Sequence, residues 1–326
     1  MKKIRVGILY GGRSAEHEVS LESAKNIIAA LDKSKYTPVL LKIKKFGAWP
    51  SENDIKLLNK VDVVFPILHG IFGEDGTVQG LIKLLDIPCV GAGVLSSAIC
   101  MDKDVMKRLL RDAGLVVPKF LSYHIAEIEN INFTTIKKQL GLPVFVKPAN
   151  TGSSIGISKV YTSIHFSRAL KEAFRFDSKI VIEECIIGRE IECSVLGNDK
   201  PHSSLPGEVI TPQKFYSYSA KYNNEKGVQV IAPAKLTKVQ IKDAQNLAIK
   251  AFKIVDCKGM ARVDMFLTKN NKFVINELNT IPGFTNISMY PKLWAASGIP
   301  YSELIDKLIQ LAIERHKKEI KLKTKR

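Results

Sequence analysis

The first part of the chain switches between two hydrophobic periods. Ile4 to Tyr10 is a short apolar run closed by Gly11-Gly12, and across Glu18 to Leu31 the residues Val19, Leu21, Ala24, Ile27, Ile28 and Leu31 recur three and four apart. The run reads as a strand and the spacing as an amphipathic helix. Thr37 to Ile43 and Val61 to Ile67 continue as strands and Thr77 to Leu85 as a helix, which predicts an α/β unit with a largely parallel sheet. Ser97 to Ala113 carries the pattern of one long helix closed by Gly114, with Pro118 soon after. Beyond it come strands joined by turns, at Pro143 to Val146, Ile157 to Tyr161, Ile180 to Glu184 and Glu190 to Leu196. A helix over Lys238 to Val255 precedes a last strand pair, and a helix over Glu303 to His316 follows it. Boundaries fall near 95 and 187, giving units at 1–95, 96–187 and 188–326 without internal repeats.

Composition narrows the setting. With 326 residues and 45% hydrophobic content, the chain can build two or three ordinary cores. The longest uncharged run, Ile87 to Met101, is short of a bilayer span and contains Pro88, Gly91 and Gly93, so no membrane association is expected. Met1-Lys-Lys-Ile-Arg resembles the start of an export signal, but the apolar stretch behind it ends at Tyr10 and reads as the first strand. Five cysteines (89, 100, 185, 193, 257) without CxxC spacing fit reduced thiols in a cytoplasm. Of the formal charge of +17, a surplus of six lies between Arg315 and Arg326, a solvated basic tail. The other basic residues are scattered and lack the interleaved aromatics of a single-strand binding platform, so no nucleic-acid partner is expected. An anionic substrate such as a nucleotide explains part of the bias.

The most informative stretch joins Arg262-Val-Asp264-Met-Phe266 to Phe273-Val-Ile-Asn-Glu277-Leu-Asn279 through Thr268 to Lys272. Two Val/Ile/Phe-rich runs around Lys269-Asn270-Asn271-Lys272 read as a β-hairpin. With Asn270 and Asn271 as central turn residues, Asp264 faces Glu277 and Arg262 faces Asn279. Alternation along a strand puts all four on one side. Such hard oxygen ligands suit Mg²⁺, which takes one or two carboxylates and completes its shell with phosphates. A solvated face with a cross-strand ion pair is the plainer alternative.

Other motifs point to phosphate. Tyr10-Gly-Gly-Arg-Ser-Ala-Glu16 follows the first strand but lacks the third glycine and the distal acid of a dinucleotide site, and there is no Gly-Lys-Ser/Thr of a Walker A loop. Asn150-Thr-Gly-Ser153-Ser154-Ile-Gly156 is a small-residue loop with Lys147 just before it, able to offer backbone N–H groups and a positive charge to an anion. Glu183 and Glu184 end an apolar strand, where backbone edges could read a purine while Glu190 reaches a ribose hydroxyl.

These elements, in this order, resemble the D-alanine–D-alanine ligases of the ATP-grasp superfamily. The resemblance runs from Gly11-Gly-Arg-Ser-Ala-Glu-His-Glu-Val-Ser20 to Trp294. It is most specific at His69-Gly-Ile-Phe-Gly-Glu-Asp-Gly76, Met101-Asp-Lys103, Gly152-Ser-Ser154, Ala220-Lys-Tyr222 and Glu277-Leu-Asn-Thr-Ile-Pro-Gly-Phe-Thr285. It implies a mixed α/β and α+β chain, an ATP-grasp fold behind an N-terminal Rossmann-like α/β domain. It also implies ATP-dependent joining of two D-alanines through an acyl phosphate, for cell-wall peptidoglycan precursors. Departures are Cys185, where the family often has a bulkier residue, a short segment at Lys44 to Pro50, and the basic tail.

The resemblance also implies roles. Lys103, Lys147 and Lys221 match the lysines on the ATP phosphates; Asp264, Glu277 and Asn279 match ligands of two Mg²⁺ ions, with Mn²⁺ as a substitute. Arg262 and the Gly283 N–H match the donors to the oxyanion and acyl phosphate, Glu16 the carboxylate on the first ammonium, and Ser153 and Tyr222 its hydrogen-bonded companions. Ser288 and the Met289 N–H match the clamp on the second carboxylate, while Glu183, Ile186, Glu190 and Phe266 match the adenine and ribose pocket. His69 either touches substrate or orients its glycine-rich loop, and Glu16 could instead cap the following helix. The aperiodic stretch 210–228 reads as a lid that orders on nucleotide binding. Tyr222 favours D-alanine as acceptor; D-serine or D-lactate is the alternative. Family members are commonly homodimers, so a homodimer is expected.

Overall fold

A computed structural model describes residues 2–46, 49–210 and 229–322. Strands β1 (Ile4–Gly11), β2 (Tyr36–Ile43) and β3 (Val63–Ile67) form a parallel sheet in the order β2-β1-β3. Both faces are covered, which is why these strands read as apolar runs and not as alternation. On one side Val6, Ile8 and Phe65 pack against Ala24 and Ile27 of α1 (His17–Ala30) and against Leu304, Ile305 and Leu308 of the helix Tyr301–Glu319. On the other, Leu9, Leu41 and Val64 meet Leu58 of α2 (Glu52–Leu58) and Val78 and Ile82 of α3 (Thr77–Leu84).

The single helix expected over Ser97 to Ala113 is two, α4 (Val94–Met101) and α5 (Lys103–Asp112). Asp102 between them is extended (φ −86°, ψ 102°), and its carboxylate accepts the N–H groups of Asp104 and Val105, each at 3.1 Å. An aspartate cap starts a helix as effectively as periodicity sustains one, and here it wins. The break makes Lys103 the first residue of α5 and sets Lys107 one turn behind it.

Strands β4 (Phe120–His124), β5 (Val144–Pro148), β6 (Ser158–Val160) and β7 (Lys179–Glu184) form an antiparallel sheet in the order β4-β7-β5-β6. Val144, Val146, Ile180 and Ile182 bury one face under α6 (Phe133–Leu140) and α7 (Ser163–Ala173), leaving Lys147 and Glu183 on the other. The third sheet has the order β11-β10-β8-β12-β13, with β9 beside β8. Its strands are β8 (Gly188–Gly197), β9 (His202–Ser203), β10 (Gly207–Ile210), β11 (Gln229–Ile231), β12 (Gly259–Thr268) and β13 (Phe273–Asn279). Val263, Met265, Leu267, Phe273, Ile275 and Leu278 face the core under the helix Lys238–Ile254, joined by Met106 and Leu110 of α5.

The β12–β13 hairpin differs from expectation at its tip. Its turn spans Thr268 to Lys272, closed by the Thr268 N–H on the Lys272 carbonyl at 3.0 Å, with Asn271 left-handed (φ 57°). Leu267 therefore pairs with Phe273, one residue out of the expected register. A bulge between Met265↔Ile275 and Asp264↔Glu277 leaves Asn276 unpaired, so Asp264 does face Glu277 and Arg262 does face Asn279. Regular alternation from Phe273 and Ile275 would send Glu277 into the core; the extra residue turns it and Asn279 out to the side of Asp264.

Candidate active site

Arg262 anchors the face that the bulge completes. Its Nε and one terminal nitrogen grip Asp264 at 2.7 and 2.6 Å, and Nε lies 2.9 Å from Glu192 on β8. Asn279 Nδ2 donates to the same Asp264 carboxylate at 2.9 Å. Burial opposes the guanidinium charge, but Asp264 and Glu192 outweigh it and hold Arg262 firmly protonated. With Nδ2 engaged, Asn279 presents its Oδ1 on the other side. Two carboxylates and one carboxamide oxygen thus collect on one strand pair, a donor set matching a hard divalent cation that shares its shell with phosphate oxygens. Phe266 and Glu190, opposed across β12 and β8, lie on the same face.

The four-stranded sheet supplies the opposite charge. Lys147 on β5 lies 2.6 Å from Glu183, and Lys107 of α5 lies 3.3 Å from that same carboxylate, which is almost fully buried. Burial alone would raise the Glu183 pKa; the two ammonium groups overcome it and hold the carboxyl down to about 2. Lys103, also buried, donates its Nζ to the Thr151 carbonyl and its backbone N–H to Ala149 at 3.0 Å, tying α5 to the small-residue loop. Burial lowers its pKa, against the raising effect of Glu277. In that loop Ser153 and Ser154 are left-handed (φ 53° and 61°), which bends the backbone around the cleft. Ile186 is half-buried between β7 and β8.

The far end gathers groups from the first sheet. Glu16 occupies the N-cap position of α1 but makes no side-chain cap hydrogen bond; its carboxylate faces Gly70 and Gly152, where an added Cβ would lie 3.5 and 3.6 Å from Oε2. His69 is 6% exposed, its Nδ1 lies 3.1 Å from the Ile281 carbonyl, and Nε2 has no hydrogen-bond partner among the described residues. Burial lowers its pKa despite the nearby Glu16, so the ring is neutral, with Nδ1–H donating and Nε2 left as an acceptor. Glu74 accepts the Gly70 N–H at 2.7 Å; burial, then the charge of Glu16, pushes its carboxyl up to about 8. Met289 opens the helix Met289–Ala296, so its N–H is one of the unpaired donors of a helix start, where carboxylates bind well. Ser288 precedes it, and its Oγ accepts the Thr285 N–H at 3.0 Å. Gly283 has no room for a side chain, because a Cβ there would come 2.7 Å from Ser288 Oγ.

A cleft of about 800 Å³ brings these parts together: Glu16, His69, Lys103, Ser153, Arg262, Glu277, Asn279, Gly283, Ser288 and Met289 all line it. Asp264, Phe266, Lys147, Glu183, Ile186 and Glu190 lie outside its lining, on or beside the strands that continue from its walls. Lys221, Tyr222 and the expected lid at 210–228 lie outside the described residues, save Ile210 at the end of β10. The sequence does not single out three residues of the site: Lys107, Glu192, and Glu74 within His69–Gly76. For Glu192 a signal existed, since it alternates with Glu190 on one strand; for Lys107 only its spacing from Lys103 hinted at a shared side.

The D-ala D-ala ligase N-terminus family model matches residues 5–92 and the corresponding C-terminus model residues 109–310. A D-alanine–D-alanine ligase from Oceanobacillus iheyensis is 49% identical, covering 100% of this chain and 99% of that protein. The chain belongs to the D-alanine–D-alanine ligase family. This bears out the family resemblance and with it the ATP-grasp fold. Among solved structures, the VanG D-Ala:D-Ser ligase from Enterococcus faecalis superposes with a TM-score of 0.85 at 35% identity, over 95% of this chain and 100% of that one. The Bacillus anthracis D-alanine–D-alanine ligase complexed with ATP gives 0.82 at 32% identity, over 97% and 99%.

Proposed function

We propose that this member of the family uses ATP to join two D-alanines, and that the residues assembled above divide the work as follows. Glu16 and the acceptor Nε2 of His69 hold the first ammonium. The lysines 103 and 147, with Lys221, take the triphosphate, and Arg262 with the Gly283 N–H faces the carboxyl of the first D-alanine. That carboxylate attacks the γ-phosphorus and ADP leaves; the second amine then attacks the acyl carbon and phosphate leaves. Donors pre-aimed at the charge that develops are the largest contribution a protein makes to such a transfer. Ser288 and the Met289 N–H hold the second carboxylate, while Ser153, together with Tyr222, orients the amine that must lose a proton.

Asp264, Glu277 and Asn279 would hold Mg²⁺, or Mn²⁺ in its place, which when bound neutralises charge on the phosphate oxygens. The observation that carries this reading is the convergence of Arg262, Asp264, Glu277 and Asn279 on one face, opposite the lysines. A cytoplasmic location and a homodimer belong to the same reading; none of the described helices is long and apolar enough to cross a membrane. A lid at 210–228 that orders with Mg-ATP would then become resistant to protease. A second reading, D-serine as acceptor, draws support from the likeness to the Enterococcus enzyme. Phosphate release from Mg-ATP with a panel of D- and L-amino acids and D-lactate, with product masses, separates the readings. No release with D-alanine alone would overturn the first.

A further inference from the structure

Helix α5 carries two buried lysines one turn apart, and the proposed chemistry uses only Lys103. Lys107 is 1% exposed. It sits beside Met106 and Leu110, which belong to the apolar core. A charge in such a place is costly unless well paired, and an apolar side chain would serve packing better. Its ammonium has two partners: the Glu183 carboxylate at 3.3 Å, and the backbone carbonyl of Asn276, to which it donates at 2.7 Å. Asn276 is the extra residue of the bulge, immediately before Glu277. β13 is the edge of its sheet and α5 packs along it, so the lysine grips the bulge from outside the ladder.

We infer that Lys107 is a positioning residue for the metal-holding face. By fixing the Asn276 carbonyl it fixes the bulge, and the bulge aims Glu277 and Asn279 at Asp264. Glu183 supplies the counter-charge that opposes the lowering effect of burial on the Lys107 pKa, and the same carboxylate holds Lys147 on the phosphate side. One buried cation thereby ties the spacing of the phosphate-holding lysine to the aim of the metal carboxylate. This inference rests on the metal role proposed for Asp264, Glu277 and Asn279.

The test is equilibrium Mn²⁺ binding, followed by loss of the free-ion EPR signal with a non-hydrolysable ATP analogue at saturation. Lys107→Met is expected to weaken Mn²⁺ binding about tenfold, the lower range for losing a group that orients a metal ligand. In steady-state ligation the half-saturating Mg²⁺ concentration should rise in step, while KM for D-alanine stays unchanged. A purely structural role would lower the melting temperature without moving the metal dependence. Lys107→Gln keeps an N–H donor at shorter reach and should shift both readouts less; it decides the matter if the Met variant does not fold. A folded Lys107 variant with wild-type Mn²⁺ affinity overturns the inference. Glu277→Gln separates the two levels: wild-type Mn²⁺ binding in that variant removes the metal reading itself. Loss there with none in Lys107→Met removes only the positioning role.

Discussion

The two walls of the site solve the same electrostatic problem with opposite signs. On the six-stranded sheet the acids Asp264 and Glu192 share one arginine, Arg262, at the partly open surface of a strand pair. On the four-stranded sheet the bases Lys107 and Lys147 share one acid, Glu183, sealed from solvent. Each wall offsets part of its own charge before substrate arrives, so neither pays the full desolvation cost of its charges alone. The difference lies in access to the cleft. Arg262 lines the cleft, whereas Glu183 is buried away from it. The open wall is suited to meeting changing charge, and the sealed wall to holding geometry.

Substitutions that unbalance each wall separate these roles, beginning with the largest effect. Arg262→Lys removes the two-pronged grip on Asp264, and kcat is expected to fall on the order of 10³, since arginines that stabilise phosphoryl-transfer charge are worth about 10³–10⁵. Glu183→Gln leaves the buried Lys107 and the partly buried Lys147 without their shared counter-charge and should cost about 3 kcal/mol in chemical denaturation, with a raised KM for ATP as the kinetic sign. That same substitution should flatten the acid limb of the stability curve. In the wild type the folded carboxyl binds its proton only near pH 2 and the unfolded one near its ordinary value, about 4.3. The unfolded state therefore holds more protons between these values, so the stability that Glu183 contributes is present above them and lost as pH falls through the window. Glu192→Gln keeps the shape but removes one partner of Arg262. A loss of about tenfold in kcat/KM is expected, in line with about 1.5 kcal/mol for a hydrogen bond to a charged group. Glu74→Gln is expected to change catalysis least, and its effect falls on the pH dependence of stability. Its carboxyl is held up to about 8, so the folded state keeps a proton that the unfolded state has lost, and wild-type stability declines as pH rises from about 4.3 to 8. The variant should lack that decline, read by thermal melts across pH. Equal slopes in the two proteins would show that Glu74 is solvated and not buried as described.

The strand face of Arg262, Asp264, Glu277 and Asn279 was legible in the sequence and the Lys107–Glu183 pairing was not, for a physical reason. Asp264, Glu277, Arg262 and Asn279 sit on paired strands, where alternation and a turn suffice to place side chains. Even there the right pairs came from a turn one residue too short and a bulge that no periodicity announces. Lys107 and Glu183 meet through tertiary packing of a helix on two sheets, and nothing local in either segment requires it. Asp102 shows a middle case: its cap breaks the expected helix of Ser97 to Ala113, and a Met-Asp-Lys start could have been read as such. Glu16 went the other way, since the position of a cap is there but the side chain is turned to Gly70 and Gly152.

The helix Tyr301–Glu319 closes the sheet that Ile4–Gly11 begins, with Leu304, Ile305 and Leu308 against Val6 and Ile8. During synthesis the ribosome releases these partners at opposite times. The antiparallel sheet of residues 120–184 has its own core and can settle while the chain is still growing. The sheet next to Glu16 keeps part of one face, beyond what α1 covers, bare until the helix Tyr301–Glu319 emerges. A stalled or shortened chain would therefore fail first at the Glu16 end of the cleft, although every residue of that end had already been made.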